Sequence, residues 1–209
     1  MLKLYDCATA PSPRRARMFL AEKGLEWDTV EIDLRKGEQL GEAYRKVNPG
    51  GTVPALEHDG EIITENATIA AYVEALHPEP PLLGATPLQK ARVQEWNARC
   101  ELGGLMAIAE ALRNSSPAMV DRALPGPKPV PQIPALAERG LMRLSWWFRA
   151  MERRLQSSEY MAGDFYSMAD ITATVVVDFS RWVKAQPDDD HPAISAYMER
   201  MRARPSYSL

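Results

Sequence analysis

The pattern of apolar residues changes once along the chain, at a proline-rich run over residues 77–81, and this change constrains the fold most. Before the run, short alternating segments typical of strands are interspersed with segments of helical period. After the run, the long segments all have the helical period. The prolines of the run over residues 77–81 interrupt helices and strands alike. Residues 79–87 are therefore interpreted as an extended linker. The sequence therefore predicts an α/β domain over residues 1–78 and an all-α domain over residues 88–209.

The first domain is predicted to have the element order βαβαββα. The segments are, in order, Leu2–Tyr5, Pro13–Lys23, Trp27–Ile32, Glu38–Val47, Val53–Leu56, Glu61–Ile63 and Thr64–Leu76. The first two strands are joined by a helical crossover, which implies that they pair in parallel. His58, Asp59 and Gly60 separate the last two strands and are typical of a tight hairpin turn, which makes that pair antiparallel.

The second domain is predicted to be a helical bundle. Its long helices are expected at Leu88–Arg113, Ala135–Gln156, Ser167–Lys184 and Ala193–Arg202. The proline-rich residues 115–134 are expected to form a loop, or a short helix flanked by loops. The third of these helices is strongly apolar, which indicates a buried, central position. Ser167 and Asp170 have capping-box spacing at its start, and we expect them to be structural.

Composition excludes several functional classes. The 25 Lys and Arg residues are balanced by 28 Asp and Glu, so nothing indicates nucleic-acid binding. Cys7 and Cys100 are too far apart for a CxxC pair, and the 3 histidines are scattered, so no metal site is expected. No apolar run approaches the ~20 residues of a membrane span. With no export signal visible, a cytoplasmic location is expected.

Four segments together resemble motifs of the bacterial cytosolic glutathione transferases, over nearly the whole chain. They are Ala10–Arg17 with Ala21–Gly24, Asn48–Leu56, Thr64–Ile69 with Asn66 where the family usually has serine, and Gly163–Ile171. The resemblance implies a thioredoxin-like first domain and an all-helical second domain. It also implies glutathione as co-substrate, a homodimer, and a role in detoxification.

The resemblance assigns the centre of the glutathione site to Val53 and Pro54. In the family this proline follows a cis peptide bond, which would turn the Val53 N–H and C=O away from the sheet. An extended peptide could then pair with Val53 like an added strand, and the resemblance implies the cysteinyl unit of glutathione. The alternative is a proline that merely begins an edge strand.

Three further residues are implied as glutathione ligands. Glu65 and Asn66 open a helix, where free N–H groups and the helix dipole suit the carboxylate of the γ-glutamyl end, while Glu65 can accept from its ammonium group. The alternative is a plain helix start with Thr64 as N-cap. Gln39 is expected near the glycyl end, with Arg35 and Lys36 as alternatives.

Ser12 is the candidate catalytic residue. The nucleophile must be a thiolate, and a hydroxyl donor beside a helix N-terminus favours the charged sulfur. Thr9 and Cys7 are alternatives, and Ser12 could instead be only an N-cap. Arg14, Arg15 and Arg17 crowd the same turn, either as a solvated charged face or to attract an anion.

The implied function is transfer of the glutathione thiolate to a small hydrophobic electrophile. Its pocket is expected between the domains, with Leu105, Met106, Leu112 and Trp182 as lining candidates. A glutathione-dependent peroxidase or disulfide reductase would begin with the same thiolate and stays open. A non-catalytic binding protein of the same fold is the remaining alternative.

Overall fold

The computed structural model describes all 209 residues. The strands are β1 (Leu2–Asp6), β2 (Asp28–Glu31), β3 (Ala55–His58) and β4 (Glu61–Thr64). The helices are α1 (Pro11–Glu22), α2 (Glu42–Val47), α3 (Asn66–Leu76), α4 (Pro87–Arg99), α5 (Met106–Ser115), α6 (Pro134–Leu155), α7 (Met168–Phe179) and α8 (Pro192–Arg202). The first unit therefore has the predicted order βαβαββα, and helices follow it.

The four strands form one mixed sheet in the order β2-β1-β3-β4. β1 and β2 pair in parallel, as the crossover predicted, and β3 and β4 are antiparallel, as the hairpin predicted. The antiparallel pairing of β1 with β3 is seen only in the structure. Leu4 and Leu56 face each other in the β1–β3 register and are fully buried, as is Leu20 of α1. The core of this unit thus lies between the sheet and its helices.

The turn between β3 and β4 follows from its sequence. Asp59 and Gly60 both adopt positive φ, at 52° and 87°. Two consecutive residues in that region match the twist of a two-residue hairpin, and Asp-Gly is among the pairs that adopt it most readily. The hairpin sets the register that ends at Thr64, and Glu65 follows it directly.

The predicted helix over residues 38–47 is split in the structure. Glu38–Leu40 forms a short 3-10 turn, Gly41 is extended with ψ 154°, and α2 begins only at Glu42. A helix-breaking glycine within the predicted segment accounts for the difference. The split places Gln39 on a separate turn from α2.

The chain forms two compact units. One comprises Met1–Pro80 with Leu124–Lys128 and Leu209, and the other comprises Pro81–Ala123 with Pro129–Ser208. The proline-rich run contains a second cis peptide bond, between Glu79 and Pro80, which no sequence motif predicted. No helix has the length and apolar character required to traverse a bilayer.

The predicted long helix over residues 88–113 is interrupted by a π-helical segment, Cys100–Leu105, between α4 and α5. A Cβ atom at Gly103 would lie 2.8 Å from the Trp147 ring, and one at Gly104 would lie 2.6 Å from a Val176 methyl carbon. The two glycines therefore let this segment approach α6 and α7 closely. The helical period of the sequence does not report these close contacts.

Helix α7 occupies the centre of the second unit, as its apolar sequence predicted, and 11 of its 12 residues are buried. The capping box at its start is also present. The Ser167 N–H and Oγ both donate to the Asp170 carboxylate at 2.9 Å, and the Met161 N–H and Tyr197 hydroxyl donate to its other oxygen. Ser167 and Asp170 thus belong to a buried hydrogen-bond network with a structural role.

Candidate functional site

The Val53–Pro54 peptide bond is cis, as the resemblance implied. The sheet register begins two residues after Val53, where Ala55 pairs with Tyr5 on one side and with Thr64 on the other. The Val53 N–H and C=O therefore lie outside the ladder. They form a main-chain donor and acceptor that an extended peptide can meet.

The carbonyl of Thr52, next to Val53, is held by two side chains. The Tyr44 hydroxyl of α2 donates to it at 2.7 Å and the Asn48 side-chain amide donates at 2.8 Å. Burial raises the pKa of Tyr44 to about 12, so its hydroxyl keeps the proton that it donates. These bonds fix the peptide plane on which the orientation of Val53 depends, and sequence reasoning missed the part played by Tyr44.

Gln39 packs against the loop that leads to Val53. A Cβ atom on Gly51, which has φ +62°, would lie 3.1 Å from the Gln39 carbonyl oxygen. The Gln39 side chain is buried, and its Oε1 has no hydrogen-bond partner. The alternatives Arg35 and Lys36 are exposed, and the Lys36 ammonium pairs with Asp33 at 3.3 Å.

Glu65 stands at the N-cap of α3 in a strained backbone conformation, with φ 65° and ψ 131°. Thr64 is the last residue of β4, so the interpretation of Thr64 as the cap is wrong. A non-glycine residue at positive φ is uncommon, and such strain concentrates at functional sites. The Glu65 side chain is exposed, as a group that meets a ligand ammonium requires.

Asn66 follows as the first residue of α3 and is only 4% exposed. Its side-chain Nδ2 donates to the Ser12 hydroxyl at 3.0 Å, across 54 residues of sequence. Its Oδ1 is buried and has no hydrogen-bond partner. The structure thus brings Ser12 and Asn66 into direct contact.

Ser12 lies in the first turn of α1, but it is not the cap. Ala10 holds the N-cap position, so the interpretation of Ser12 as only an N-cap is wrong. Pro11 and Pro13 flank Ser12 and have no N–H, which leaves Ser12 with the one backbone donor among the first three helical residues. Its hydroxyl also accepts from the Arg15 guanidinium at 3.4 Å.

The alternatives to Ser12 are placed differently. Cys7 is a buried free thiol at the end of β1, whose Sγ lies 3.7 Å from the Thr9 hydroxyl. Thr9 is exposed in the turn that precedes α1. The side chains of Cys7 and Thr9 contact each other, whereas the Ser12 hydroxyl contacts the predicted ligand residue Asn66.

The arginines of α1 do not form a solvated face, and that interpretation is wrong for Arg15 and Arg17, which are both buried. Arg17 pairs with the buried Asp6 at 2.5 Å and donates to the Ala8 carbonyl at 3.0 Å. Burial raises the pKa of Asp6, and the Arg17 charge opposes that rise. Arg17 therefore holds the loop that leads from β1 into the helix of Ser12.

Comparison with known proteins gives the family of this chain. The glutathione S-transferase N-terminal domain matches residues 9–76, and the C-terminal domain matches residues 123–205. Glutathione S-transferase 2 of Saccharomyces cerevisiae is 35% identical, over 97% of this chain and 86% of that protein. The chain belongs to the glutathione S-transferase family.

Solved structures of glutathione S-transferases have the same fold. The crystal structure of Gtt2 from Saccharomyces cerevisiae superposes with a TM-score of 0.90 at 32% identity, covering 99% of this chain and 98% of that one. A glutathione S-transferase domain-containing protein of Marinobacter aquaeolei gives a TM-score of 0.90 at 29% identity, covering 98% and 99%. The chain is thus a glutathione transferase of thioredoxin-like and helical domains, while a bacterial source is not shown.

The predicted electrophile-binding residues of this transferase all belong to the second unit. Met106 and Trp182 are exposed, at 52% and 44%, whereas Leu105 and Leu112 are partly buried against the helical core. Trp182 lies edge-on to Phe179, with the ring centroids 5.2 Å apart. Their role as lining residues stays a prediction.

Proposed function

We propose that this transferase binds reduced glutathione in its first unit, with Val53 on the cysteinyl main chain. Glu65 accepts from the ammonium group of the γ-glutamyl end, and Asn66 lies beside it at the N-terminus of α3. Gln39 binds the glycyl end. Ser12 donates a hydrogen bond to the sulfur.

One observation carries this proposal: two of the assigned ligands have a buried oxygen without a partner. Asn66 Oδ1 and Gln39 Oε1 are both in this state, although the two side chains are only 4% and 6% exposed. Buried polar atoms without partners are rare and costly in folded proteins. The ammonium and amide N–H groups of a bound tripeptide would supply the missing donors.

The chemistry requires a thiolate, because a free thiol with a pKa of ~8.5 is mostly protonated at neutral pH. Ser12 offers a hydroxyl and a backbone N–H at the positive end of α1, and both favour the charged sulfur. With a chloronitroarene, the thiolate attacks the ring carbon that carries chlorine. A C–S bond forms, the C–Cl bond breaks, and chloride leaves with the electron pair.

Binding to immobilised glutathione tests the assigned site. Glu65→Ala is expected to lose retention, because a hydrogen bond between charged groups contributes about 1.5–3 kcal/mol, equivalent to an affinity loss of about 10- to 100-fold. Glu61→Ala is the matched control, since Glu61 is also exposed and lies four residues earlier on β4. Equal retention of both variants would remove Glu65 from the site.

Turnover with a chloronitroarene tests the role of Ser12. Ser12→Ala is expected to lower kcat by about 10- to 100-fold, because the lost hydrogen bond stabilises a charged sulfur. KM for glutathione is expected to change far less. If kcat is unchanged, the donor role passes to Thr9 or Cys7.

The reaction that the glutathione thiolate carries out is also part of the proposal. Conjugation to a small hydrophobic electrophile is our first assignment, and hydroperoxide or disulfide reduction is the alternative that shares the thiolate. Parallel conjugation, peroxidase and disulfide-reductase assays separate them by rate. We also propose a cytoplasmic homodimer with a role in detoxification, which sedimentation velocity and cell fractionation test.

A further inference from the structure

The Ser12 hydroxyl is contacted by two side-chain nitrogens, and each of them can only donate to it. The Asn66 Nδ2 lies 3.0 Å from Ser12 Oγ, and the Arg15 guanidinium nitrogen lies 3.4 Å from it. A serine hydroxyl has two lone pairs and one proton. With both lone pairs engaged by N–H donors, the remaining capacity of the hydroxyl is donation.

We propose that Asn66 is a positioning residue for the reaction: it orients the Ser12 hydroxyl so that its proton points to the sulfur of bound glutathione. The inference rests on the proposed function and adds to it that the γ-glutamyl end and the sulfur end of the site are joined through the contact of Asn66 with Ser12. The residue beside the γ-glutamyl end acts on the sulfur through Ser12. Arg15 supports the same orientation from one turn further along α1.

The surroundings of Asn66 make it suited to this task. It is 4% exposed, so water does not readily replace its amide at Ser12. It is the first residue of α3, directly after Glu65, whose φ of 65° sets where the helix begins. The backbone at the N-cap thus fixes the position from which the amide reaches Ser12.

The residue type also matters. The family usually has serine where this chain has Asn66, and a serine side chain is one heavy atom shorter than an asparagine side chain. A serine hydroxyl can accept as well as donate, so it would not fix the direction of the Ser12 proton. Asn66 meets Ser12 through its amide nitrogen, which can only donate, and its Oδ1 does not accept from Ser12.

A double-mutant cycle tests the proposal. The pKa of bound glutathione is measured from the ultraviolet absorbance of its thiolate, at saturating glutathione, in wild type, Ser12→Ala, Asn66→Ala and the double variant. Each single change is expected to raise the pKa of the bound thiol by about one unit, because a hydrogen bond to the thiolate is lost. The double variant is expected to match Ser12→Ala, because Asn66 acts through Ser12.

Asn66→Ser separates positioning from binding and replaces Asn66→Ala if that variant fails to fold. It restores the usual family residue at the γ-glutamyl end, so KM for glutathione is expected to stay within about twofold of wild type. The pKa of the bound thiol is nevertheless expected to rise as in Asn66→Ala. Thr68→Ala is the control, because Thr68 is exposed on the same helix, and no change is expected.

Failures of the two proposals give different results. If wild type shows no thiolate signal with glutathione, the proposed function is wrong and this inference falls with it. If wild type shows the signal but the pKa in both Asn66 variants equals that of wild type, only the inference is overturned. A pKa rise in the double variant equal to the sum of the two single rises also overturns it.

Discussion

Tyr44 helps to fix the backbone beside Val53, a residue assigned to the candidate site for its main-chain N–H and C=O and not for its side chain. Its hydroxyl and the Asn48 amide both donate to the Thr52 carbonyl, at 2.7 and 2.8 Å, and the next residue is Val53. The directions of a main-chain N–H and C=O depend on the orientation of the neighbouring peptide planes. Tyr44 and Asn48 therefore fix the peptide plane beside Val53, and we propose that they position it for the strand-like pairing with glutathione.

Tyr44→Phe is expected to weaken glutathione binding while the fold persists. One hydrogen bond to Thr52 is lost and the Asn48 bond remains, so we expect a stability loss of about 1 kcal/mol and a rise in KM for glutathione of about fivefold. Steady-state kinetics and urea unfolding measure these changes. Tyr5→Phe is the control, because its ring lies 5.8 Å from that of Tyr44 but its hydroxyl bonds to Glu57. An equal rise in KM in both variants would contradict the role given to Tyr44.

At the scale of elements, helix α7 depends on a buried carboxyl group. Burial raises the pKa of Asp170 from 3.8 to about 6, although hydrogen bonds from Met161, Ser167 and Tyr197 oppose the rise. The folded state therefore holds its proton more tightly than the unfolded chain does. The contribution of this group to stability is fully present below pH ~3.8 and is lost as the pH rises through ~6.

The Asp170→Asn variant isolates that pH dependence, since asparagine does not titrate. A difference of about two pKa units corresponds to about 3 kcal/mol. The stability of wild type relative to Asp170→Asn is therefore expected to fall by about 3 kcal/mol between pH 3.5 and pH 7. Urea unfolding of both proteins across that range provides the measurement. A constant difference would mean that Asp170 has an ordinary pKa in the folded protein.

The sequence predicts most elements of this fold but not the interactions that depend on distant residues. The hairpin at Asp59 and Gly60 is local, and its turn has the predicted geometry. In the π-helical segment Cys100–Leu105, two glycines lie close to Trp147 and Val176, and no local pattern contains these contacts. Sequence periodicity reports which face of a helix is apolar, and it does not report how near a neighbouring helix comes.

In the candidate site, too, the sequence predicts features that depend on a local motif but not contacts between residues far apart in the chain. The resemblance of residues 48–56 to a family motif was enough to predict the cis bond before Pro54, which the structure contains. It did not predict that Arg17 is buried against Asp6, because the charges are 11 residues apart and only the folded loop joins them. The contact of Ser12 with Asn66 spans 54 residues and likewise required the structure.

Glutathione binding is expected to stabilise the protein as a whole, because a ligand that binds only the folded state shifts the unfolding equilibrium. At a concentration of about 100 times Kd, the expected gain is about 2.7 kcal/mol. For a chain of this size, that corresponds to a rise in Tm of about 5–10 °C. Differential scanning calorimetry with and without glutathione measures the rise.

Two controls tie that shift to the assigned residues. Cysteinylglycine at the same concentration lacks the γ-glutamyl group, so it has nothing to place against Glu65 and is expected to give a much smaller rise. Glu65→Ala is expected to lose most of the shift with glutathione, while Glu61→Ala keeps it. Because Glu65 contributes an exposed side chain and no core packing, its loss should leave the Tm of the unliganded protein within about 2 °C of wild type. A rise in Tm with glutathione as large in Glu65→Ala as in wild type would show that glutathione binds without the Glu65 side chain.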